Sequence, residues 1–442
     1  MKQDYLSIPN LISAIFWIIV LLSISNYQKN RVENTNIKRF YMLNFWFKIT
    51  MALVFAIVYV YYFGGGDTTA YWDGGVVLNN LIFDDFGNYI DSMISPPSDE
   101  IRSLHFNQNT GYPPGWIYRE PEAWFVCKIV SLISLLTFKS YLAGTMVFAF
   151  FLASASFNLL SKVIQLKIHT IRVAAFCILF IPSVAFWCSG VSKDTLTFWA
   201  VLQLISIFLH RIVLKEKLSW MQIMVILLSI FLLYNLRVFV LAATIAPLIM
   251  AYGSRITNRY EKSSLAKFFF RTMLISSSFL LFFVFLGSGI ASDLIKEAKI
   301  VQDDFQKNET YTGKRYQIDN TDPSPSGLLF AMPQSVFYGV YRPFPNEALS
   351  PALIFNGLES LMLVILSLLF LFRGTLSNIK LIINDEFLVF CLAFSFFIGF
   401  MAGFSSVLFG VLVRIRAPLL PFIFLLLTAR ISKKGETKEI IN

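Results

Sequence analysis

Long apolar stretches separated by short polar segments dominate the chain. An apolar run of about 20 residues is long enough to cross a bilayer as a helix, and the pattern predicts about eleven such spans. They cover residues 8–25, 43–63, 141–160, 173–190, 195–212, 219–236, 238–253, 268–290, 351–372, 387–404 and 412–429. The sequence therefore predicts an all-α polytopic membrane protein, with residues 1–442 forming a single membrane domain.

The composition supports this class. Hydrophobic residues make up 56% of the chain and charged residues only 14%, with a mean hydropathy of +0.64, whereas soluble domains have about 25% charged residues. The net charge of +10 is typical of the cytoplasmic loops of a polytopic protein. We therefore expect membrane lipid, and no nucleic acid, among the partners.

The loops between the spans alternate in charge. One set consists of "QKNRVENTNIKR", "SKVIQLKIHTIR", "HRIVLKEK", "GSRITNRYEKSSLAKFFFR", "RGTLSNIK" and "RISKKGETKEIIN", and it holds more than half of the 37 Lys and Arg residues. Because basic loops stay in the cytoplasm, this predicts an outer N-terminus and a cytoplasmic C-terminus. The Lys-, Ile-, Asn- and Phe-rich composition suits a bacterial source, so the predicted location is a bacterial inner membrane.

Two long outer loops interrupt the series of spans. Residues 64–140 contain "AWFVCKIVSLISLLTF", which is short for a span and would break the charge alternation. We interpret it as a surface helix at the outer membrane face. Residues 291–350 begin polar and become amphipathic in "LLFAMPQSVFYGVYRPFP", which predicts a second surface helix.

The stretch "FGGGDTTAYWDGG" places two acids directly after the second span. Asp67 and Tyr71 share a helix face at their spacing of four residues, and Asp73 follows. A carboxylate at this height can take a proton from an acceptor hydroxyl, so Asp67 and then Asp73 are the candidate catalytic bases. The alternative is that Asp67 only caps a helix that begins after the glycines.

Unusual basic residues lie at the outer ends of the spans, against the positive-inside tendency. Such cations usually have an anionic partner, and arginine matches the oxygens of a phosphate. A lipid-linked phosphate is one hypothesis for the partner; pairing with nearby acids is the other. The candidate basic residues are Lys193, Arg237, Arg342, Arg414 and Arg416, and the candidate acids of the same site are Asp194, Glu347 and Glu359.

Glu359 differs from the other acids because it lies inside a predicted span, on one helix face with Asn356 and Ser360. An intramembrane acid is a functional candidate by default, although pairing with an arginine also explains it. The cysteines and histidines show no metal-ligand spacing, and no nucleotide-binding motif is present. We therefore predict no metal site and no cofactor; a divalent cation is compatible with the sequence but has no motif behind it.

These motifs resemble the GT-C-type integral membrane glycosyltransferases. "GDTTAY" is similar to the acidic motif of the first outer loop, and "IPSVAFWCSGVSKDTLTFWAVL" is similar to a span, outer turn and acid-led span. "RIRAPLLPFIFLLLTA" resembles the last span of that superfamily. The resemblance covers most of the chain at the level of layout, and it assigns the catalytic role to Asp67.

The resemblance implies an enzyme that transfers a sugar from a polyprenyl-phosphate-linked donor. The acceptor would be a glycan or a lipid-linked molecule on the outer face, as in cell-surface polysaccharide assembly. One alternative is a polymerase or ligase of lipid-linked polysaccharides. Another is a transporter or flippase of lipid-linked sugars, which would place polar residues along a path through the membrane.

The predicted topology can be tested with single cysteines at Asn107, Asn320 and Lys434. We expect the first two to react with an impermeant thiol reagent in intact cells, because both lie in predicted outer loops. The cysteine at Lys434 should react only after the cells are lysed. Labelling of Lys434 alone in intact cells would invert the topology.

Overall fold

A computed structural model describes residues 5–213, 215–260, 314–318, 325–348, 350, 353–372 and 374–433, together with the isolated residues 269, 273, 277, 300, 303 and 307. This part of the chain is α-helical and contains no β-strand. Its one β-like feature is an isolated antiparallel bridge between Arg315 and Leu408. The predicted all-α class is therefore confirmed for the described residues.

The first half of the chain contains thirteen α-helices within residues 5–260. They are α1 (Ile8–Asn30), α2 (Thr35–Ile57), α3 (Asp67–Asp84), α4 (Phe86–Ile94), α5 (Asp99–His105), α6 (Gly115–Arg119), α7 (Pro121–Leu136), α8 (Tyr141–Gln165), α9 (Ile171–Leu179), α10 (Pro182–Trp187), α11 (Lys193–Phe208), α12 (Trp220–Leu236) and α13 (Val238–Tyr260). A π-helical turn, Val58–Tyr62, extends α2, and a second one, Leu209–Val213, extends α11.

The described residues of the second half add six α-helices. They are α14 (Pro325–Tyr341), α15 (Ile354–Phe372), α16 (Thr375–Asn384), α17 (Glu386–Ser405), α18 (Phe409–Arg416) and α19 (Leu420–Lys433). A short 3-10 segment, Ala417–Leu419, joins the last two.

Seven helices of the described part are long and apolar enough to cross a membrane. They are Ile8–Asn30, Thr35–Tyr62, Tyr141–Gln165, Val238–Thr257, Ile354–Phe372, Glu386–Ser405 and Phe409–Ala429. The apolar helix α12 is slightly shorter, with 17 residues. The class of multi-pass membrane protein follows from these helices, whereas the total of eleven spans and their orientation stay predictions.

One predicted span is divided in the structure. Residues 173–190 contain α9, which ends at Leu179, and α10, which begins at Pro182. A proline has no backbone N–H and disfavours helical conformation in the residue before it, so a helix usually ends just ahead of one. The predicted span 268–290 lies outside the described residues except for three isolated positions.

The helices form two compact units. The first consists of Met1–Ser161, Val184–Leu204 and Ile223–Val238, and the second of Lys162–Ser183, Ile205–Gln222 and Phe239–Asn442. Each unit is described below by itself. The single membrane domain expected from the sequence stays a prediction.

In the first unit, α3 and α7 pack against each other through two glycines of α3. A Cβ atom at Gly74 would lie 2.6 Å from Sγ of Cys127, and one at Gly75 would lie 2.9 Å from the backbone nitrogen of Ser131. Any larger side chain would collide with α7. These glycines therefore bring the backbones of α3 and α7 close together, and α4 to α6 complete the body formed by residues 64–140.

The helix predicted over "AWFVCKIVSLISLLTF" is present as α7, and one of its faces is buried. Trp124, Cys127, Val130 and Ser134 are 0–1% exposed. The lysine inside this stretch, Lys128, donates from Nζ to the carbonyl oxygen of Ser95 at 2.9 Å, at the C-terminal end of α4. A cation in this position stabilises the negative end of a helix. Whether α7 lies at the membrane face stays a prediction.

In the second unit, α14 and α17 pack through small residues spaced four apart. A Cβ atom at Gly339 would lie 1.9 Å from the carbonyl oxygen of Gly399, and one at Gly403 would lie 1.9 Å from that of Ser335. This small-xxx-small arrangement, which is common in pairs of transmembrane helices, lets two helices approach closely. The position of α14, and of the segment after it, therefore depends on these glycines.

This packing predicts that Gly339→Ala destabilises the protein. The added methyl group has no space beside the Gly399 carbonyl, and overpacking typically costs about 1–3 kcal/mol. We expect a lower thermal unfolding midpoint and a lower yield of folded protein in detergent. Gly410→Ala is the matched control, because a Cβ atom there meets nothing within 4 Å. Equal midpoints for the two variants would contradict the proposed contact.

Candidate functional site

The turn that precedes Asp67 depends on three glycines. Gly64, Gly65 and Gly66 have φ angles of 69°, 117° and 144°, a region that side chains disfavour. A Cβ atom at Gly66 would also lie 3.2 Å from the ring of Tyr59. The turn therefore ends the span Thr35–Tyr62 and begins α3 within a few residues.

Asp67 is the first residue of α3 and is half-buried. The Thr69 hydroxyl accepts a hydrogen bond from the N–H of Gly66 at 3.1 Å, which closes the first turn of the helix. An acid at this position also interacts favourably with the helix dipole. The structure thus places Asp67 next to the end of a membrane span, and Tyr71 follows one turn later, only 3% exposed.

Asp73 is held by a tyrosine from the N-terminal segment. The Tyr5 hydroxyl lies 2.9 Å from both carboxylate oxygens of Asp73. Burial raises the pKa of Asp73 above its ordinary value, and the hydrogen bond from Tyr5 offsets part of that increase. The ring of Tyr5 also packs on Tyr141, with 5.1 Å between centroids. Asp73 is therefore a second carboxylate in the same helix as Asp67, and the Tyr5 hydroxyl contacts both of its oxygens.

Two basic residues that the sequence analysis identifies in the first unit, Lys193 and Arg237, are paired with carboxylates. Lys193 lies 3.5 Å from Glu120 and 3.4 Å from Glu122. Arg237 binds Asp194 at 2.6 Å, and Asp194 is only 3% exposed. Lys193 therefore connects the start of α11 to the start of α7, and Asp194 connects it to Arg237.

The same region contains more acids than bases. Asp73 and Lys193 both act electrostatically on the buried thiol of Cys127, so the helix start of α11 lies near α3 and α7. The described residues named here include four carboxylates (Asp73, Glu120, Glu122 and Asp194) and two cations (Lys193 and Arg237), and each cation already contacts a carboxylate. This balance disfavours a phosphate as the partner of Lys193 or Arg237.

In the second unit, Arg342 lies among three aromatic rings. Its guanidinium carbon is 4.5 Å from the ring centroid of Tyr338, 5.1 Å from that of Phe409 and 5.5 Å from that of Tyr316. Glu347 accepts hydrogen bonds from Nε of Arg342 at 3.1 Å and from Nη2. Cation–π contacts and the two-pronged ion pair hold the guanidinium in one orientation.

This orientation leaves one edge of the guanidinium available. Nη1 of Arg342 makes no hydrogen bond to the described part of the protein, and the side chain is 18% exposed. Burial raises the pKa of Glu347, but hydrogen bonds from Arg342 and from the Phe344 N–H outweigh this effect and hold it below its ordinary value. Glu347 is therefore ionised at neutral pH, and the Nη1 edge can donate to a further acceptor.

Two more cations lie beside this pair. The Lys314 ammonium donates to the carbonyl oxygen of Asn346 at 3.1 Å and also lowers the pKa of Glu347. Arg315 is exposed, and its backbone forms the bridge to Leu408. We call Lys314, Arg315, Arg342 and Glu347 the Arg342 cluster. It contains three cations and one carboxylate among the described residues.

The sequence analysis did not identify Lys314 and Arg315. They occur in the polar part of the second long loop, where charged residues are ordinary. The bridge from Arg315 to Leu408 and the hydrogen bond from the Phe409 N–H to the Lys314 carbonyl at 3.3 Å bring them to Arg342. Such long-range contacts leave no local pattern in the sequence.

The two arginines of the last predicted span differ from each other. Arg416 is fully buried and donates to the carbonyl oxygens of Val340, Arg342 and Asn356 and to the Ser360 hydroxyl. It thus ties the end of α14 to α15. Arg414 lies on the same short helix, α18, and is half-buried.

Glu359 lies on the buried face of α15 with Asn356 and Ser360. It accepts hydrogen bonds from both the backbone N–H of Ser183, at 2.9 Å, and the Ser183 hydroxyl. The first N–H groups of a helix have no partner within the helix, so Glu359 satisfies one at the start of α10. Its carboxylate hydrogen-bonds to this helix end, and it also interacts electrostatically with Arg416.

One charged residue inside a predicted span was overlooked. Lys48 lies in α2, is completely buried, and its Nζ atom has no hydrogen-bond partner in the described part of the chain. One turn earlier, Asn44 donates to the carbonyl oxygen of Ala153 at 2.8 Å, while its own Oδ1 is unpartnered. The lysine within the apolar stretch "NFWFKITMALVF" is visible in the sequence. It indicates a functional residue, because charged residues inside membrane spans are rare and usually functional.

The residues that the structure describes include no group of three or more His, Cys, Asp or Glu side chains placed to hold a metal ion. Comparison of the chain with models of known protein families, with curated proteins and with solved structures found no match. The chemistry of the site therefore has to be inferred from its own residues.

The Arg342 cluster predicts a pH-dependent effect of Glu347→Gln. A carboxyl group whose pKa is depressed in the folded state stabilises the fold above its unfolded pKa, about 4.3, and loses this contribution as the pH falls through the folded pKa. At pH 7 we expect a loss of about 1–2 kcal/mol, between the values for exposed ion pairs and for charged hydrogen bonds.

The measurement is the thermal unfolding midpoint of both proteins between pH 7 and pH 3. The difference should begin to shrink as the pH falls below about 4.3, the unfolded pKa, and should disappear as the pH falls through the lower folded pKa and wild-type Glu347 is protonated as well. The exposed Glu100, replaced in the same way, is the control and should change the midpoint little. A difference that is independent of pH would show that the ionised pair contributes nothing.

Proposed function

We propose that the protein transfers a sugar from a polyprenyl-phosphate-linked donor to a glycan or lipid-linked acceptor. The observation that supports this most directly is the Arg342 cluster, which keeps one edge of an oriented guanidinium available beside Lys314 and Arg315. Arginine and lysine side chains placed next to one another are suited to the phosphate oxygens of such a donor.

The donor carries its own leaving group, so the reaction needs few protein groups. The acceptor hydroxyl attacks the anomeric carbon while the bond to the phosphate oxygen breaks, and the polyprenyl phosphate departs with the electron pair. Cations lower the free energy of the transition state by stabilising the charge on that oxygen. A carboxylate takes the proton of the acceptor, and Asp67 is our first candidate for this role, with Asp73 the second.

The same proposal includes the finer topology. It places the N-terminus and the loops 64–140 and 291–350 outside a bacterial inner membrane, and the C-terminus in the cytoplasm. It takes eleven spans as the complete set. The seven apolar helices of the described residues support the membrane location, and the basic loops support the orientation.

A transporter of lipid-linked sugars is the second candidate, and Lys48 is the observation that favours it. A buried lysine within a span that has no hydrogen-bond partner among the described residues is the kind of residue found along substrate paths. A polymerase or ligase would use the same chemistry as the first proposal with a larger acceptor. Transfer of label between lipid and glycan distinguishes both enzymes from a transporter, which moves the donor across the bilayer unchanged.

We predict that the Arg342 cluster binds polyprenyl phosphate. A charged hydrogen bond contributes roughly 1.5–3 kcal/mol, so Arg315→Ala and Lys314→Ala should each weaken binding about tenfold to a hundredfold. Both side chains are exposed, and their removal should leave the fold intact. Arg342→Lys keeps the charge but loses the planar fork, and it should also weaken binding. The measurement is the affinity of purified protein for a short-chain polyprenyl phosphate in detergent.

Lys193→Ala is the matched control, because two carboxylates already neutralise this lysine; it should change the affinity little. Asp67→Asn then separates binding from catalysis. It should leave the affinity unchanged and reduce sugar transfer roughly 10²–10⁴-fold, while Asp85→Asn, which keeps its capping function at α4, should not. Unchanged affinity in all three cluster variants would end the phosphate proposal, and normal turnover by Asp67→Asn would end its catalytic role.

A further inference from the structure

Helix α4 in the first unit has three distinct faces. Successive residues are rotated by about 100°, which separates a packed face from an exposed apolar face. Tyr89 and Ser92 are buried, whereas Phe86, Ile90 and Ile94 are 61%, 40% and 79% exposed. The apolar residues follow one another at intervals of four and therefore form one continuous stripe.

The remaining face of α4 is polar. Asp91 is exposed and lies 3.3 Å from Nε2 of His105, which holds the other side of the helix to α5. Phe83, at the end of α3, is 75% exposed and precedes Phe86 by three residues. We call Phe83, Phe86, Ile90 and Ile94 the Phe86 face.

Contacts with Lys139 indicate where this face lies relative to the membrane. The Lys139 ammonium lies 5.8 Å from the ring centroid of Phe83 and donates to Oδ1 of Asn80 at 2.7 Å. Lys139 comes two residues before the span Tyr141–Gln165 begins. Phe83 is therefore level with the entrance of a membrane-spanning helix.

The chain next to Lys139 lies beside another span. The Ser13 hydroxyl donates to the carbonyl oxygen of Thr137 at 2.8 Å, and the ring of Phe138 is 6.3 Å from that of Phe16. Ser13 and Phe16 belong to the span Ile8–Asn30. Phe16 and Phe138 are 51% and 70% exposed. The apolar surface at the base of the 64–140 body is thus continuous with the lipid-facing surface of α1.

We propose that the Phe86 face inserts into the lipid bilayer at the boundary between headgroups and acyl chains. Amphipathic helices of this kind lie in the membrane plane with the apolar face about 5–10 Å below the surface. The sequence analysis predicts a membrane contact for α7. The Phe86 face adds a second one, formed by α4 and the end of α3. Exposed apolar stripes of this kind are uncommon on surfaces that face water.

Charge identifies the kind of lipid. The segment Phe83–Ile94 contains Asp84, Asp85 and Asp91 and no Lys or Arg. The charges of this segment itself therefore do not attract anionic headgroups, and burial of apolar side chains drives the contact. Zwitterionic phosphatidylcholine is sufficient as a partner.

The contact has a consequence for the first unit. Helix α3 carries Asp67 at one end and Phe83 near the other. Anchoring the Phe83 end in lipid, while the glycine turn joins the Asp67 end to α2, holds the whole helix at one height relative to the membrane. This inference does not depend on the proposed glycosyl transfer.

The test uses the single variants Phe86→Cys, Ile94→Cys and Asp91→Cys, each labelled with an environment-sensitive fluorophore. The four native cysteines are 0–1% exposed, so unmodified protein is the blank. Each variant is placed at one chain per disc in phosphatidylcholine nanodiscs with or without doxyl-labelled lipid. The single chain per disc prevents a second copy from covering the label.

We expect blue-shifted emission at positions 86 and 94, with stronger quenching by a doxyl group near the headgroup than by one at the chain end. The label at position 91 should emit as in water and stay unquenched. Added anionic lipid should not increase the quenching. Labels at 86 and 94 that behave like the one at 91 would overturn the proposal. Blue-shifted but unquenched emission would overturn it too, because the face would then be covered by protein.

Discussion

Close contact between helix backbones is the interaction on which each unit of this protein depends. Small residues let two helix backbones approach closely, so that van der Waals packing and hydrogen bonds hold the helices together. Gly339 and Gly403 provide such contact between α14 and α17, and Gly74 and Gly75 provide it between α3 and α7. A methyl group would fill the space that these contacts require.

The same contacts position the candidate functional residues. Helix α14 ends at Tyr341, and Arg342 follows immediately, so the register of α14 on α17 sets the place of the guanidinium. Helix α3 begins at Asp67, so its packing on α7 sets the direction of the first turn.

Hydrogen bonding separates structural charges from candidate functional ones. Arg416 and Glu359 are buried, yet each binds backbone groups that would otherwise lack partners. Burying a charge is costly unless it is compensated, and here helix ends and carbonyl groups provide the compensation. Arg342 keeps an available edge, and Lys48 has no hydrogen-bond partner among the described residues, so these two cations are not explained by the fold alone.

The sequence by itself determined the class of protein, the apolar helices and the start of α3, because these depend on local properties. Hydropathy over about 20 residues is readable without knowledge of any contact, and three consecutive glycines predict a turn wherever they occur. It also identified Arg237, Arg342 and Glu359 as unusual. Only the tertiary structure decided their partners: Asp194 for Arg237, Glu347 for Arg342 and the N-terminus of α10 for Glu359.

The tertiary structure also decided which apolar helix face is buried. Both α7 and α4 carry apolar stripes, but α7 buries part of its stripe on α3, while α4 leaves the Phe86 face exposed. Lys314 and Arg315 join Arg342 only through contacts with residues about ninety positions further along the chain. A periodic pattern indicates which side chains of a helix are expected to be buried. The element against which they pack depends on how distant segments of the chain fold together.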